Sequence, residues 1–251
     1  MTQRLIGAAA LLVCAAALSA CGSSTGGVPV AADPTGATGI PRPTTVDPTS
    51  SGAPSDTESS CDYRRTPADE PAGGRDVGLP RGDEAPKKVT LVTDQGEIAM
   101  TMDAAAPCTT ASIAHLATSG FYDDSPCHRI TKSQSLSVLQ CGDPTGQGTG
   151  GPGYTLPDEN PKNLAPSGTA DYVVYPRGTV AMANTGQPHS GGSQFFLVYA
   201  DSVLPPTYAV FATVDDAGLG VLDKIASAGV SGGGQDGPPA TAVTVKTAQL
   251  D

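Results

Sequence analysis

The sequence predicts a mostly β domain over residues 87–251, a closed eight-stranded antiparallel β-barrel capped by two α-helices. Three observations lead there. Apolar and polar residues begin to alternate just after Lys87 and do so again in several short runs further on. Gly-, Pro- and Asp-rich stretches separate those runs, as turns between strands require. Helical spacing of apolar residues occurs in only two places. Many short antiparallel strands leave exposed edges unless the sheet closes on itself, so closure is the expected outcome.

Each element follows from its residues. Positions 89–93 (Val-Thr-Leu-Val-Thr) alternate, 94–97 (Asp-Gln-Gly-Glu) supply turn chemistry, and 98–102 alternate again, which predicts a hairpin. Pro107 opens a helix reaching about Ser119, with Ala111, Ile113, Ala114 and Leu116 on its apolar face and Gly120 as its stop. Strand-like runs follow at 127–131, 137–141, 179–183, 194–199, 208–214 and 242–247, and a second helix fits 220–228. No internal repeat is present.

Upstream of residue 87 the composition changes. Arg4 precedes an uncharged run over 5–20, short for a membrane span but suited to the core of a signal peptide. The run ends Leu18-Ser19-Ala20-Cys21 and is followed by Gly22. These residues resemble the bacterial lipobox. The resemblance implies that 1–20 are removed, that Cys21 is lipidated, and that the protein sits at the extracytoplasmic face of the cell membrane. Stable anchoring of that kind takes two or more acyl chains. Residues 21–86 are rich in Ser, Thr, Gly, Pro, Ala and Asp without an apolar period, so they are expected to form a disordered stalk. A coil of that length spans roughly 45 Å on average. Cys61-Asp62-Tyr63-Arg64-Arg65 is the one stretch of it expected to pack onto the domain.

The formal net charge of −11 repels phosphate backbones, which excludes nucleic acid as an expected partner. It equally argues against a basic patch that adheres to anionic lipid. The three histidines have no zinc spacing with the cysteines, so neither a metal nor another cofactor is expected. A monomer is the default.

Three segments carry the chemistry. The first is His128-Arg129-Ile130, leading to Leu139-Gln140-Cys141-Gly142-Asp143. The second is the glycine-rich stretch from Gly142 to Tyr154. The third is Ala181-Met-Ala-Asn184 followed by Gly192-Ser-Gln-Phe-Phe196. In this order and spacing they resemble the cyclophilin family over about residues 87–250. The resemblance implies peptidyl-prolyl cis-trans isomerisation acting on Pro-containing polypeptides, which during folding would be exported chains. No bond breaks in that reaction. The barrier is the roughly 18–20 kcal/mol of amide resonance, and the uncatalysed rotation takes tens to hundreds of seconds.

The resemblance also implies roles. Arg129 is the catalytic arginine, whose fork of donors suits a carbonyl oxygen and a prolyl nitrogen together. Gln140 holds the substrate backbone, Asn184 with Ala183 before it lines the peptide, and Phe196 is the apolar floor for the proline. Val138 lies beside that floor. Gln194 and Gly148 rim a neighbouring pocket, and Val203, Leu204 and Tyr208 stand on the wall. Phe195 is assigned to the core, because alternation turns it away from Phe196, and His128 to a structural role. The pattern also departs from the family. Ser137 replaces an aromatic residue, which predicts a less apolar floor, and the loop between Arg129 and Gln140 is three residues longer. Val203 replaces a Trp, which predicts weak cyclosporin binding, and Tyr208 replaces a His. Ser137 and Val203 favour the alternative of a proline-peptide binding module with little turnover.

Two motif spellings are declined. Gly146 to Gly151 reads G-x-G-x-x-G without a following helix, and Gly229 to Gly233 reads G-x-S-x-G without a strand–turn–helix context. Cys61, Cys108, Cys127 and Cys141 remain once Cys14 leaves with the signal and Cys21 is lipidated. Four cysteines allow three pairings. Cys127 and Cys141 flank the two strands of one hairpin, which favours that pair together with Cys61–Cys108. Four free, buried thiols are the alternative.

Overall fold

The computed structural model describes residues 60–66, 75–81 and 86–251. The expected signal peptide at 1–20, the expected lipid site Cys21 and the expected stalk up to residue 59 lie outside the described residues. The elements in chain order are β1 (Arg64–Arg65), β2 (Lys88–Thr93), β3 (Gly96–Met102), α1 (Pro107–Thr118), β4 (Ser125–Pro126), β5 (Arg129–Thr131), β6 (Val138–Cys141), β7 (Tyr154–Thr155), β8 (Ala165–Pro166) and β9 (Val173–Tyr175). They continue with β10 (Thr179–Met182), β11 (Phe195–Val198), β12 (Ser202–Leu204), β13 (Val210–Val214), α2 (Asp216–Ala228), β14 (Asp236–Gly237) and β15 (Thr244–Leu250).

The main sheet corrects the expected barrel. It has ten antiparallel strands in the order β14-β5-β6-β11-β10-β13-β3-β2-β15-β4, and no ladder joins its two ends. The sheet curls all the same. Only Cys127 and His128 separate β4, at one end, from β5 near the other. The end strands β4 and β14 have two residues each, too few to register as alternation. A second sheet, β12-β9-β8, was also not expected, for the same reason of length.

Both helices close over the apolar side of the curl. α1 packs on β15 and β13, and α2 on β3. Pro107 stands at the start of α1, and no side chain of its own caps it. Instead the Glu159 carboxylate, from a distant loop, accepts from the N–H groups of Cys108 (2.9 Å) and Thr109 (2.7 Å). An anion there meets both the unpaired donors and the positive end of the helix dipole. α2 begins at Asp216, four residues before the expected start, because Asp215 caps it by accepting from the Gly218 N–H at 2.8 Å. The enclosed core contains Phe121, Tyr122, Phe195 and Phe211, each packed edge-on against the next at ring separations of 5.4–6.1 Å. Burying one such ring contributes about 1.5–3 kcal/mol.

Part of the expected stalk lies against the domain. β1 pairs with β7, and Tyr63, Val77 and Leu79 pack against the core. Arg75 donates to the carbonyl oxygens of Gly120 (2.9 Å) and Asp123 (3.3 Å). Cys61 is bonded to Cys108, and Cys127 to Cys141. The stalk composition is too polar to show these contacts, which depend on isolated apolar residues and one cysteine. Among the described residues no helix is long and apolar enough to cross a membrane.

Candidate active site

A row of facing residues crosses the sheet. Arg129 on β5 stands opposite Gln140 on β6, Gln140 opposite Phe196 on β11, and Phe196 opposite Ala181 on β10. Directly opposed residues share a face, with Cβ atoms about 4.5–5.5 Å apart. Register alone therefore gathers a guanidinium, an amide and an aromatic ring on one surface. It is the surface turned away from the main core. Phe196, Val138, Ala181, Val198 and Tyr175 form a second, smaller apolar cluster there. Phe195, one residue away, lies in the main core, as alternation requires.

Hydrogen bonds fix the polar end of the row. Asp236 on β14 accepts from Nε and Nη2 of Arg129, both at 2.7 Å, and Oε1 of Gln140 accepts from Nη1 at 3.1 Å. A guanidinium has five N–H groups, so one on each terminal nitrogen is left for a ligand. Gln140 Nε2 donates in turn to Gln194 Oε1 (3.0 Å), and Gln194 Nε2 to the Gly150 carbonyl (3.0 Å). Each amide is thereby held in one orientation. The hydrogen bonds to Asp236 raise the Arg129 pKa above its ordinary value, and those from Arg129 hold the Asp236 carboxyl below its own. The guanidinium is charged throughout any practical pH range.

The apolar end is assembled from three strands. Tyr208 stands edge-on to Phe196 at 5.5 Å, and Tyr175 lies behind both. The single Tyr175 hydroxyl hydrogen is shared between the Pro205 (3.1 Å) and Tyr208 (3.2 Å) carbonyls, and its oxygen accepts from the Tyr208 N–H (3.2 Å), pinning the segment that carries Tyr208. Burial pushes the Tyr175 phenol up to about 12, so it remains a neutral donor. Leu204 packs against this cluster, and Val203 falls on the opposite face of the same strand. Ser137 is not part of the floor. Its hydroxyl donates to Ser133 within the loop, and Leu136 packs on the cluster instead, so the floor keeps an apolar residue next to the substituted position.

A cavity of about 630 Å³ adjoins the row. Gln140, Gly148, Ala183, Asn184 and Gln194 line it, so Gln140 belongs to both sites. Gln194 and Phe196 are two residues apart on one face, a step of about 7 Å, which an extended peptide covers with two residues. Asn184 is tied at both ends: its Nδ2 donates to the Thr207 carbonyl (2.8 Å) and its Oδ1 accepts from the Gly186 N–H (2.9 Å). Gly142 (φ +90°) permits the close approach of this wall to β6, since a Cβ there would lie 2.3 Å from the Ser193 carbonyl oxygen.

The G-x-G-x-x-G loop is turned inward. The N–H groups of Gly148 (2.7 Å) and Gly150 (3.0 Å) donate to the fully buried Asp143 carboxylate. Burial by itself would raise that carboxyl, and hydrogen bonds from Thr145, Gly150 and Gly148 outweigh it and hold it low. These donors are committed to Asp143 and do not form a phosphate cradle. His128 lies under Gly148, its ring 3.5 Å from where a Cβ would stand. Burial chiefly depresses its pKa, with Arg129 adding and Asp143 opposing. Among the described residues no group of three His, Cys, Asp or Glu is placed to hold a metal ion.

Sequence reasoning missed Asp236 and Tyr175. Asp236 is a lone acid in a glycine-rich stretch, and Tyr175 ends the short run Tyr172-Val173-Val174-Tyr175. Neither carries a pattern of its own.

A curled antiparallel sheet thus sets an arginine, a glutamine and a phenylalanine in register on one face. The chain belongs to the cyclophilin-type isomerase family: the profile described as cyclophilin type peptidyl-prolyl cis-trans isomerase/CLD matches residues 88–250. A probable peptidyl-prolyl cis-trans isomerase B of Mycobacterium leprae is 47% identical over 196 residues, covering 76% of this chain and 65% of that protein. One of the same description from Mycobacterium tuberculosis is 50% identical over 184 residues, covering 70% and 59%. The chain thus spans under two thirds of the length of these relatives. A Cryptosporidium parvum cyclophilin type peptidyl-prolyl cis-trans isomerase superposes with a TM-score of 0.51 at 26% identity, over 66% of this chain and 97% of that one. The same protein was also solved in the presence of the dipeptide Ala-Pro.

Proposed function

We propose that this protein accelerates cis-trans rotation of Xaa–Pro bonds in exported polypeptides. The observation that carries the reading is the register that sets Arg129, Gln140 and Phe196 side by side on three adjacent strands. A proline ring rests on Phe196 between Tyr208 and Leu204. The two remaining guanidinium N–H groups reach the prolyl carbonyl and nitrogen. Donation toward that nitrogen favours its pyramidal form and weakens the amide resonance that makes up the barrier. The fork is held beforehand by Asp236 and Gln140, so little reorganisation accompanies the twist. The Ala-Pro dipeptide used with the Cryptosporidium protein supports a prolyl ligand.

Exchange spectroscopy on an Xaa–Pro peptide, with protein at a small fraction of the peptide concentration, tests this. Cis–trans exchange cross-peaks mark turnover. Shift changes without exchange would mark a binding module instead.

The lipobox residues around Cys21 support anchoring by lipid at the extracytoplasmic face of the membrane. The two disulfides support an oxidising compartment. Cys21→Ser should move the protein from the membrane fraction to the soluble one. A monomer is in keeping with a small peptide groove, and sedimentation would test it.

A further inference from the structure

Residues 60–66 lie outside the stretch matched by the family profile, yet the last of them, Thr66, reaches the groove. We propose that this strap is the outer wall of the 630 Å³ pocket and selects the substrate side chain two residues from the proline. The inference rests on the isomerase reading.

The strap is fastened at nearly every residue. Cys61 is bonded to Cys108 in the first turn of α1. The Tyr63 hydroxyl donates to the Cys108 carbonyl at 2.8 Å, and its ring meets Tyr154 edge-on at 5.8 Å. Arg64 and Arg65 pair with Thr155 and Tyr154, and the Thr66 N–H donates to the Gly153 carbonyl at 3.1 Å. These contacts do two things. They bring Thr66 to the pocket, and they brace the loop at 152–155 that forms the same bank. The opposite bank is Gln140 and Gln194, which the hydrogen bonds to Arg129 and Gly150 hold still. The width of the pocket is therefore set between the strap and the amide pair.

The lining indicates the chemistry of the occupant. Its polar side chains are amides and hydroxyls, set beside Pro152 and Ala183, and among the described residues none that lines it is Asp, Glu, Lys or Arg. A charged side chain entering would lose water and gain no counter-ion. An uncharged polar side chain such as that of Gln, Ser or Thr finds donors and acceptors on both banks. The specificity of this isomerase thus depends on a segment held from outside the family domain by a disulfide.

The test measures kcat/KM by exchange spectroscopy for proline peptides carrying Gly, Gln or Glu two residues from the proline, varied on each side in turn. The proteins are the full chain, Thr66→Trp, Thr66→Gly and the pair Cys61→Ser/Cys108→Ser, with melting curves to show that each is folded. Wild type should prefer Gln to Glu. Thr66→Trp should lower the Gln-to-Gly ratio on the order of ten-fold, mainly through KM, the range expected for a group-sized change in a pocket. Thr66→Gly should lower it less, and the cysteine pair should lower it by freeing the strap. A ratio unchanged in all three variants would overturn the inference while leaving the isomerase intact. No exchange with any peptide in wild type would overturn the isomerase reading, and the inference with it.

Discussion

Phe195 and Phe196 are chain neighbours on one strand and serve different parts of the molecule. Phe195 is 1% exposed in the main core, edge-on to Tyr122 and Phe211. Phe196 is 5% exposed on the opposite face, in the small cluster beside Arg129 and Gln140. Both are buried, so burial alone does not separate structural from functional aromatics. What separates them is the company each keeps. One face of β11 meets the core, and the other is in register with a charged fork and an amide.

Substitutions should split along that line. The largest expected effect is on stability: Phe195→Ala removes a fully buried ring and should cost about 3–5 kcal/mol in denaturant unfolding. Phe196→Ala should cost less stability and instead raise KM for proline peptides, with up to about 3 kcal/mol of lost apolar contact. Equal losses in the two variants would break the division. Asp236→Asn keeps the shape and removes the charge that aligns Arg129. It should lower kcat on the order of ten-fold with little change in KM, the pattern of a positioning group. Its stability cost should stay under about 1 kcal/mol, because the ion pair is well exposed.

The smallest expected effect concerns pH. The folded His128 pKa lies below its usual 6.5, so the unfolded chain takes up a proton first as pH falls. The contribution of neutral His128 is complete above 6.5 and is lost as pH drops toward the folded value. Asp143 and Asp236, both depressed below 3.8, act only at lower pH. Unfolding measured at pH 7.5 and 5.5 should show a smaller difference in His128→Gln than in wild type.

Much of this was legible in the sequence because it depends on local pattern. Alternation placed most of the longer strands to within a residue or two and sent Phe195 and Phe196 to opposite faces. Resemblance then drew attention to Arg129, Gln140 and Phe196, and register brought them together. What stayed hidden depends on contacts between distant segments. The closing strands β4 and β14 have two residues each and exist only as partners of others. Asp236 is separated from Arg129 by 107 positions, and nothing near it marks it as a partner. Glu159 caps a helix from about 50 residues away, so no capping signal appears beside Pro107. Val203 and Leu204 were assigned together to the wall, although alternation allows only one of them to face it.

The account depends on the Arg129 guanidinium easing rotation of a bond seated on Phe196. Exchange spectroscopy of one Xaa–Pro peptide with wild type and Arg129→Ala, each checked by its melting curve, tests that most directly. The predicted result is an exchange rate lower on the order of 10²–10³-fold in the variant, with the melting temperature nearly unchanged. An Arg129→Ala protein that turns the peptide over at the wild-type rate would contradict it.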